Sequence, residues 1–210
     1  NSGNATSCNF TVTVSDLINP TITCPSSLNI GTSVSSCDTI LSGLAPLATG
    51  DNCGIDSVSY VLSGATIGIG LTDASGSLFN EGITTVAYTV TDNSGNATSC
   101  NFTVTVSDLI NPTITCPSSL NIWTSVSSCD TILSGLAPLA TSDNCGIDSV
   151  SYVLSGATIG IGLTDASGSL FNEGITTVAY TVTDNSGNAT SCNFTVTVSD
   201  LINPTITCPS

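Results

Sequence analysis

The sequence contains no lysine, arginine or histidine, and it also lacks methionine and glutamine. Fifteen acidic side chains therefore have no cationic partner, and the formal net charge is −15. Nucleic-acid binding by phosphate neutralisation needs Lys or Arg, so the composition excludes it for this segment. Salt bridges between side chains are excluded for the same reason. The carboxylates need counter-ions from solution, and hard divalent cations are the natural candidates.

The chain does contain a long internal repeat. Asn1, Asn93 and Asn185 begin the same stretch, so the period is 92 residues. A period of this length corresponds to a whole domain and not to a solenoid unit. We predict two complete domains, at 17–108 and 109–200. Residues 1–16 are interpreted as the end of a preceding repeat and 201–210 as the start of a following one, as in a piece of a longer tandem array.

Groups that carry catalysis are scarce. The many serines have no histidine to activate them. A pair such as Asp51 and Asp92 has the residue types of acid–base catalysis, but every repeat would hold the same site and no insertion forms a pocket. We therefore predict that the chain is not an enzyme. No apolar run reaches the ~20 residues of a transmembrane helix, so no membrane insertion is expected within this segment.

Short alternating segments between turn residues indicate an all-β chain, and no 3.6-residue pattern of useful length occurs. The clearest strand is 83–91, where Val86, Tyr88 and Val90 face one way. The segment 100–106 returns and turns Phe102, Val104 and Val106 inward. Further strands are predicted at 21–24, 39–47, 57–62 and 78–79, with Ile40, Leu41 and Leu44 as core candidates. About seven short strands per repeat predict a β-sandwich.

The two repeats differ at two positions, where Trp123 replaces Gly31 and Ser142 replaces Gly50. We predict a hairpin turn at Ile30–Gly31. A glycine required for positive φ would not tolerate Trp, so the turn is expected to use an ordinary conformation. Trp123 is then exposed, either as an isolated surface aromatic or as a contact residue between neighbouring chains or domains.

Ten cysteines in a chain of this kind predict disulfides and an extracellular or cell-surface location. A zinc site is disfavoured because the chain has no CxxC motif and no His. The predicted hairpin places Cys24 opposite Cys37, and two sandwich-end loops bring Cys53 to Cys100. By repetition, the second domain is expected to pair Cys116 with Cys129 and Cys145 with Cys192. The alternative scheme joins cysteines 16 residues apart, beginning with Cys8–Cys24, and uses all ten.

Several motifs together resemble the HYR (hyalin repeat) domain family. They are PTITCP, the DNCG loop, the strand start Gly82–Tyr88 and TDNSGNATSCNFTVTV, and the match covers essentially each whole repeat. The resemblance implies immunoglobulin- or fibronectin-III-like sandwiches in tandem, in an extracellular protein with a role in adhesion and no enzymatic activity. The lack of basic residues departs from the family pattern.

A calcium site is predicted where the loop after strand 39–47 meets the turn before Cys100. Carboxylate and amide oxygens are ligands for hard cations. The alternative is that these Asp and Asn side chains only form turns through local hydrogen bonds. The boundary residue Asp108 is expected to approach the loop that contains Asp143. The candidate ligands are Asp51, Asn52, Asp92, Asn93, Asn96, Asp108, Asp143, Asn144 and Asp184.

The chain also carries acceptor motifs for N-linked glycans. Ser and Thr on outward strand faces offer O-linked sites as well. The alternative is ordinary turn and strand chemistry. The candidate glycosylation residues are Asn4, Asn9, Asn96, Asn101, Asn188 and Asn193.

Two functions from different classes fit these features. The first is a structural protein that forms an extracellular fibre or stalk, with copies of itself as partners in a head-to-tail or lateral polymer. The near-identity of the repeats and the short linker 108–112 favour it. The second is a cell-surface adhesin that binds a glycan or protein through sandwich-end loops, for which variation between repeats would be expected.

Overall fold

The computed structural model describes residues 2–125 and 128–208, so the predicted partial repeats at 1–16 and 201–210 lie partly outside it. Two compact units are present. Unit 1 comprises Asn1–Ile30 and Asp38–Val106, and unit 2 comprises Gly31–Cys37 and Ser107–Ser210. The short segment Gly31–Cys37 therefore belongs to unit 2, although its sequence lies within the first repeat. The domain limits at 17–108 and 109–200 stay a prediction.

All regular elements among the described residues are strands, which confirms the all-β prediction. The strands of the first repeat are β1 Thr21–Thr23, β2 Leu28–Gly31, β3 Asp38–Ile40, β4 Ala48–Gly50, β5 Ile55–Gly64, β6 Gly68–Leu71, β7 Leu78–Asn80, β8 Gly82–Asp92 and β9 Ala97–Ser107. Those of the second repeat are β10 Thr113–Thr115, β11 Leu120–Trp123, β12 Asp130–Ile132, β13 Ala140–Ser142, β14 Ile147–Gly156, β15 Gly160–Leu163, β16 Leu170–Asn172, β17 Gly174–Asp184 and β18 Ala189–Ser199.

Each repeat forms one five-stranded sheet and two small two-stranded sheets. In the first repeat the order of the large sheet is β2-β9-β8-β5-β6, and the small sheets are β1-β4 and β3-β7. The second repeat has the same arrangement, with β11-β18-β17-β14-β15, β10-β13 and β12-β16. The predicted hairpin of 83–91 with 100–106 is confirmed, because β8 pairs antiparallel with β9 and sets Tyr88 opposite Cys100.

The core of unit 1 lies between the large sheet and the small sheets. The predicted inward faces of β8 and β9 are confirmed, since Val86, Tyr88, Val104 and their neighbours are buried. The buried hydroxyl group of Tyr88, on the large sheet, also forms hydrogen bonds with segments that pack against that sheet. Tyr88 Oη accepts a hydrogen bond from the Ala74 N–H at 2.8 Å and donates one to the Leu44 carbonyl oxygen at 2.9 Å. Both backbone groups are thereby satisfied inside the core.

Two details of the strand prediction are wrong. The segment 39–47 is not one strand, because β3 ends at Ile40 and the chain turns through Gly43, whose φ is +72°. Leu41 and Leu44 are buried as predicted, but Ile40 is 69% exposed because it lies on the outer face of a short edge strand. Trp123 is 63% exposed, as predicted.

The predicted turn at Ile30–Gly31 is also wrong, because these residues end β2. In the second repeat the equivalent strand, β11, joins the large sheet by pairing parallel with β18, with Leu120 opposite Val196. In the first repeat β2 is likewise the neighbour of β9. The chain therefore crosses from the small sheet to the large one after β1, and it does not fold back on β1.

This crossing changes the disulfide pattern. Cys24 follows β1 in one layer and bonds to Cys100 on β9 in the other, with Cα atoms 5.9 Å apart. Cys116 and Cys192 form the same bond in the second repeat. The predicted pairs Cys24–Cys37, Cys53–Cys100, Cys116–Cys129 and Cys145–Cys192 are wrong, and so is the scheme of 16-residue spacings. Cys53 and Cys129 are exposed free thiols, as are Cys8 and Cys208.

A third disulfide lies within unit 2. It joins Cys37 to Cys145, 108 residues apart in the sequence, with a Cα–Cα distance of 4.5 Å. Cys37 reaches Cys145 because the segment Gly31–Cys37 is part of that unit. A sequence spacing alone does not reveal this pair, since the two cysteines come from different repeats.

Removing the bond between the layers is expected to destabilise unit 1. The Cys24–Cys100 bond closes a loop of 76 residues, and the chain-entropy estimate for such a loop is about 4 kcal/mol. The double variant Cys24→Ser/Cys100→Ser should lose that much unfolding free energy in a denaturant titration. Cys8→Ser is the control, since Cys8 is exposed and unbonded, and it should leave the midpoint unchanged. Equal stability of the double variant and the control would contradict the assignment.

Candidate metal centre

Each unit contains a cluster of three aspartates. In unit 1 the cluster is Asp16, Asp51 and Asp92, and one carboxylate oxygen of each lies within 4.8 Å of the others. In unit 2 the equivalent cluster is Asp108, Asp143 and Asp184, with the same limit. We call these clusters triad 1 and triad 2. The predicted approach of Asp108 to the Asp143 loop is thus present within unit 2.

The three carboxylates of triad 1 come from three different backbone segments. Each carboxylate is held by hydrogen bonds from backbone N–H groups of its own turn. Asp16 Oδ1 accepts from the Ile18 N–H at 3.1 Å. Asp51 Oδ2 accepts from the Cys53 N–H at 2.7 Å in the loop before β5. Such Asx turns are why Asp is favoured at these positions. They also hold one oxygen of each carboxylate and leave the other, Asp16 Oδ2 or Asp51 Oδ1, without a hydrogen-bond partner among the described residues.

The third carboxylate, Asp92, sits in the tight turn between β8 and β9. Its Oδ1 accepts from the N–H groups of Ser94 at 2.8 Å and Asn96 at 2.9 Å, and its Oδ2 accepts from Asn96 Nδ2 at 2.8 Å. The turn is closed by Gly95 at φ +91°. Asp184 makes the same three bonds in the second repeat.

Hydrogen bonds of the turn lower the pKa of the two turn carboxyl groups. Burial raises the pKa of Asp92, but the hydrogen bonds from the side chain and backbone of Asn96 and from the backbone of Ser94 and Gly95 outweigh it. The pKa of Asp92 therefore lies below its ordinary value. The same balance of burial against the Asn188 turn lowers the pKa of Asp184. Both carboxyls are ionised at neutral pH.

The predicted asparagines hydrogen-bond to the acidic clusters and to the loops around them. Asn96 Nδ2 donates to Asp92, and Asn52 Nδ2 donates to Asp16 Oδ1 at 3.3 Å. Asn93 Nδ2 donates to the Cys53 carbonyl oxygen at 3.0 Å and so ties the turn to the loop. In triad 2, Asn144 Nδ2 donates to Asp108 Oδ1 at 3.3 Å. These amide nitrogens orient the carboxylates. Asn144 Oδ1 is buried and has no hydrogen-bond partner among the described residues, so Asn144 stays a candidate ligand together with the aspartates.

Some carboxylate oxygens in the clusters have no hydrogen-bond partner within the described residues. They are Asp16 Oδ2 and Asp51 Oδ1 in triad 1, and Asp108 Oδ2 and Asp143 Oδ1 in triad 2, all shielded from solvent. A buried polar atom without a partner is costly, and a buried charge more so. Asp108 as a whole is only 5% exposed. The turns therefore supply hydrogen bonds to one oxygen of each of these four carboxylates. The other oxygen is suited to contact a cation.

The donor set fits calcium. The three aspartates offer hard, negatively charged oxygens, and Ca²⁺ completes its six to eight ligands with backbone carbonyls and water. No Lys, Arg or His is available anywhere in the chain to neutralise the triads. Asp16 was missed by the sequence analysis, although the 92-residue period identifies it as the equivalent of Asp108.

The glycan acceptor residues fall into two groups. Asn101 and Asn193 are exposed on β9 and β18. Asn96 and Asn188 are half-buried, and their amide nitrogens donate to Asp92 and Asp184. Asn4 and Asn9 are exposed in the segment before β1. The nitrogen that a glycan would occupy is thus engaged at one sequon of each complete repeat.

Comparison with known proteins gives a family and one sequence relative. The profile of the HYR domain matches residues 15–106 and 107–198. Hyalin of Strongylocentrotus purpuratus is 35% identical over 217 residues, which cover 99% of this chain and 16% of Hyalin. The chain therefore spans less than a fifth of that relative.

Solved structures with similar folds are distant. The fibronectin(III)-like modules of Clostridium thermocellum CbhA match at 15% identity and a TM-score of 0.35, covering 90% of this chain and 100% of theirs. Drosophila N-cadherin EC1-4 matches at 16% identity and a TM-score of 0.36, covering 87% of this chain and 50% of that one. These similarities are too weak to inform function.

No helix within residues 2–125 and 128–208 has the length and apolarity needed to cross a bilayer. Disulfides persist in oxidising compartments, so the three bonds and the family match place the chain in the extracellular space. The profile match covers both repeats and nearly the whole sequence. The chain belongs to the HYR domain family.

Proposed function

We propose that this chain is a segment of an extracellular fibre or stalk built from tandem HYR repeats, with a calcium ion in each carboxylate triad. The observation that carries the proposal is the near-identity of the two repeats. They differ at two positions and form the same strands in the same order. A protein that presents one surface many times is suited to regular assembly, whereas recognition of varied ligands favours variation between repeats.

An exposed apolar sheet edge supports lateral packing. β6 is an edge strand of the large sheet, and the stretch Ala65–Leu71 that includes it has no charge and no proline. Ile69 is 82% exposed, and Ile67 and Leu71 are exposed beside it. Natural proteins usually protect such edges with charges, proline or bulges, because an open edge pairs with another chain. The same edge recurs at β15 with Ile161.

The adhesin remains the second candidate, and Trp123 favours it. This residue is the only tryptophan of the chain, and it is well exposed. Aromatic side chains of this kind are enriched at protein interfaces. The other substitution, Ser142 for Gly50, places only a small side chain at the end of β13.

A calcium ion in each triad is compatible with both the fibre and the adhesin. Three carboxylates in close contact repel one another, and a divalent cation converts that repulsion into attraction. The cation also links three separate segments, namely the one before β1, the loop before β5 and the β8–β9 turn. Calcium would therefore stabilise the end of the unit at which the three segments meet.

Electron microscopy tests the fibre. The concentrated chain with calcium should form regular filaments. The double variant Ile69→Lys/Ile161→Lys should abolish lateral association, because lysine on the open edge opposes strand pairing. The control is Leu47→Lys/Leu139→Lys, since both residues are similarly exposed but precede β4 and β13. Isolated particles from the unmodified chain, or equal loss of filaments in both variants, would count against the proposal.

Calcium should raise the melting temperature of the chain. A ligand at 100 times its dissociation constant adds about 2.7 kcal/mol, which is roughly 10 °C or more for a domain of this size. Asp51→Asn/Asp143→Asn should lose most of this gain. In EDTA the same variant should be at least as stable as the unmodified chain, because it relieves repulsion between carboxylates.

The matched control for calcium is Asp56→Asn/Asp148→Asn, which removes the same charge from exposed positions outside the triads. This control should keep the full response to calcium. If EDTA leaves the melting temperature of the unmodified chain unchanged, the aspartates serve only as turn formers.

If the source glycosylates Asn-x-Thr sequons, occupancy should differ within each complete repeat. Asn101 and Asn193 should carry glycans, while Asn96 and Asn188 should stay unmodified because their amide nitrogens bind the turn aspartates. Glycopeptide mass spectrometry after chymotrypsin would show this, since trypsin has no cleavage site in the chain. Full occupancy at Asn96 would show that the turn bonds are dispensable.

A further inference from the structure

A cavity of about 250 Å³ adjoins triad 2 within unit 2. Asp143 and Asn144 line this cavity, and Asp143 is also a member of the triad. The cavity and the candidate calcium site therefore share one loop, the loop before β14. Ligand pockets usually have volumes from about 300 Å³ upward, so a cavity of this size suits a single ring-sized group.

Three oxygen atoms around this loop are shielded from solvent and have no hydrogen-bond partner among the described residues, namely Asp108 Oδ2, Asp143 Oδ1 and Asn144 Oδ1. Asp108 as a whole is only 5% exposed. The amide nitrogen of Asn144 is already engaged, since Nδ2 donates to Thr32 Oγ1 at 3.1 Å and to Asp108 Oδ1 at 3.3 Å. The atoms left over are all acceptors, so they require a cation or a ligand that donates hydrogen bonds.

A calcium ion in triad 2 would have coordination positions to spare. Calcium binds about six to eight oxygen atoms. The three aspartates and Asn144 Oδ1 supply four of them if each residue gives one atom, so the remaining positions take oxygen atoms of water or of a ligand. Because Asp143 and Asn144 also border the cavity, a ligand in the cavity can supply those oxygen atoms.

The rest of the cavity wall is uncharged. Asn111 and Ser142 contribute an exposed amide and an exposed hydroxyl group, and Val34 and Ile110 contribute aliphatic side chains. Polar groups beside aliphatic surface suit a ring with hydroxyl groups on its rim and C–H groups on its face. Anionic ligands are disfavoured, because the chain has a net charge of −15 and no Lys, Arg or His. The wall therefore fits a neutral polyhydroxylated ring, which is the chemistry of a saccharide.

One of the two differences between the repeats lies in this wall. Ser142 stands where the first repeat has Gly50. The backbone does not require glycine here, because Gly50 has no positive φ and a Cβ atom on it would lie 3.5 Å from Thr21 Oγ1, an ordinary contact. Both repeats also form the same strands in the same order. The substitution therefore changes the chemistry of the cavity wall and not the fold.

We propose that this cavity binds a neutral saccharide, and that two adjacent hydroxyl groups of the sugar complete the coordination of a calcium ion in triad 2. Ser142 and Asn111 hydrogen-bond to other hydroxyl groups of the sugar, and its ring packs against Val34 and Ile110. The saccharide site rests on the calcium ion that we propose for triad 2. It gives the adhesin, the second candidate function, a ligand class and a binding site.

Sugar and calcium are then coupled. Because each contacts the other, each raises the affinity of the chain for the other by the same factor. We expect a factor of roughly ten or more, within the range of about 5 to 150 that is common for coupled sites. A calcium ion that serves only to join the three segments of the triad would show no such coupling.

Calorimetric titration of the full chain with D-mannose, D-galactose and L-fucose tests the site, since all three are neutral and carry adjacent hydroxyl groups. In calcium at least one of them should bind, and in EDTA its affinity should fall by roughly tenfold or more. In the presence of that sugar the affinity for calcium should rise by the same factor. Binding of none of the three, or equal binding in calcium and in EDTA, would overturn the proposal.

Variants of Ser142 locate the bound sugar. Ser142→Phe fills the cavity and should abolish sugar binding, while the rise in melting temperature with calcium stays unchanged. Ser142→Gly restores the residue of the first repeat and should weaken sugar binding roughly fivefold, the effect of one hydrogen bond. The control is Ser155→Phe, which adds the same ring at an exposed position of β14 outside the cavity and should bind sugar normally. Full binding by Ser142→Phe would refute the site.

The melting temperature separates the saccharide site from the calcium site. If calcium raises the melting temperature but no sugar binds, the saccharide site is wrong and the calcium site stands. If calcium leaves the melting temperature unchanged and no sugar binds, both are wrong.

Discussion

The structure depends on how a chain without any basic side chain satisfies its buried carboxylates. Asp92 and Asp184 are almost fully buried, and N–H groups of the turn donate hydrogen bonds to both carboxylates. Those N–H groups belong to the turn that joins the two longest strands of each repeat. The same carboxylate therefore closes the hairpin, orients the Asn96 or Asn188 amide and contributes to a triad. Turn geometry, strand register and the candidate metal centre all follow from one hydrogen-bonding arrangement.

The strands with strong alternation could be predicted from the sequence. Val86, Tyr88 and Val90 are buried as the period-two pattern requires, and the turn residues Asp92–Asn96 mark the hairpin without ambiguity. Short strands were harder to predict because three residues carry little pattern. Ile40 is apolar and follows the predicted period, yet it faces solvent because β3 is an edge element of three residues. The local sequence of such a short strand does not indicate whether it joins the large sheet or one of the small sheets.

For the candidate site and the cysteines too, the sequence predicts the local features but not the contacts between distant segments. Aspartates in turns pointed to a hard-cation site, but which of them meet depends on contacts between distant segments. Asp16 was overlooked because it lies outside the complete repeats, although the repeat itself identifies it. The cysteine pairs were mispredicted because β2 crosses to the large sheet, a choice that depends on parallel pairing and not on any turn signal. The Cys37–Cys145 bond could not be predicted under the assumption that all disulfides form within one repeat, because its two cysteines belong to different repeats.

The assignment of Gly31–Cys37 to unit 2 has a consequence for biosynthesis. Cys37 must wait while 108 further residues are made before its partner exists, which takes roughly 5 to 20 seconds at ordinary rates of translation. During that interval Cys24 and Cys53 are the nearest thiols in the chain, and bonding to either would trap a wrong pair. Folding of unit 1 removes part of this hazard, because it commits Cys24 to Cys100. The Cys37–Cys145 bond therefore forms only after more than one further repeat has been synthesised, and thiol–disulfide exchange is the reaction that would release a mispaired Cys37 for its partner.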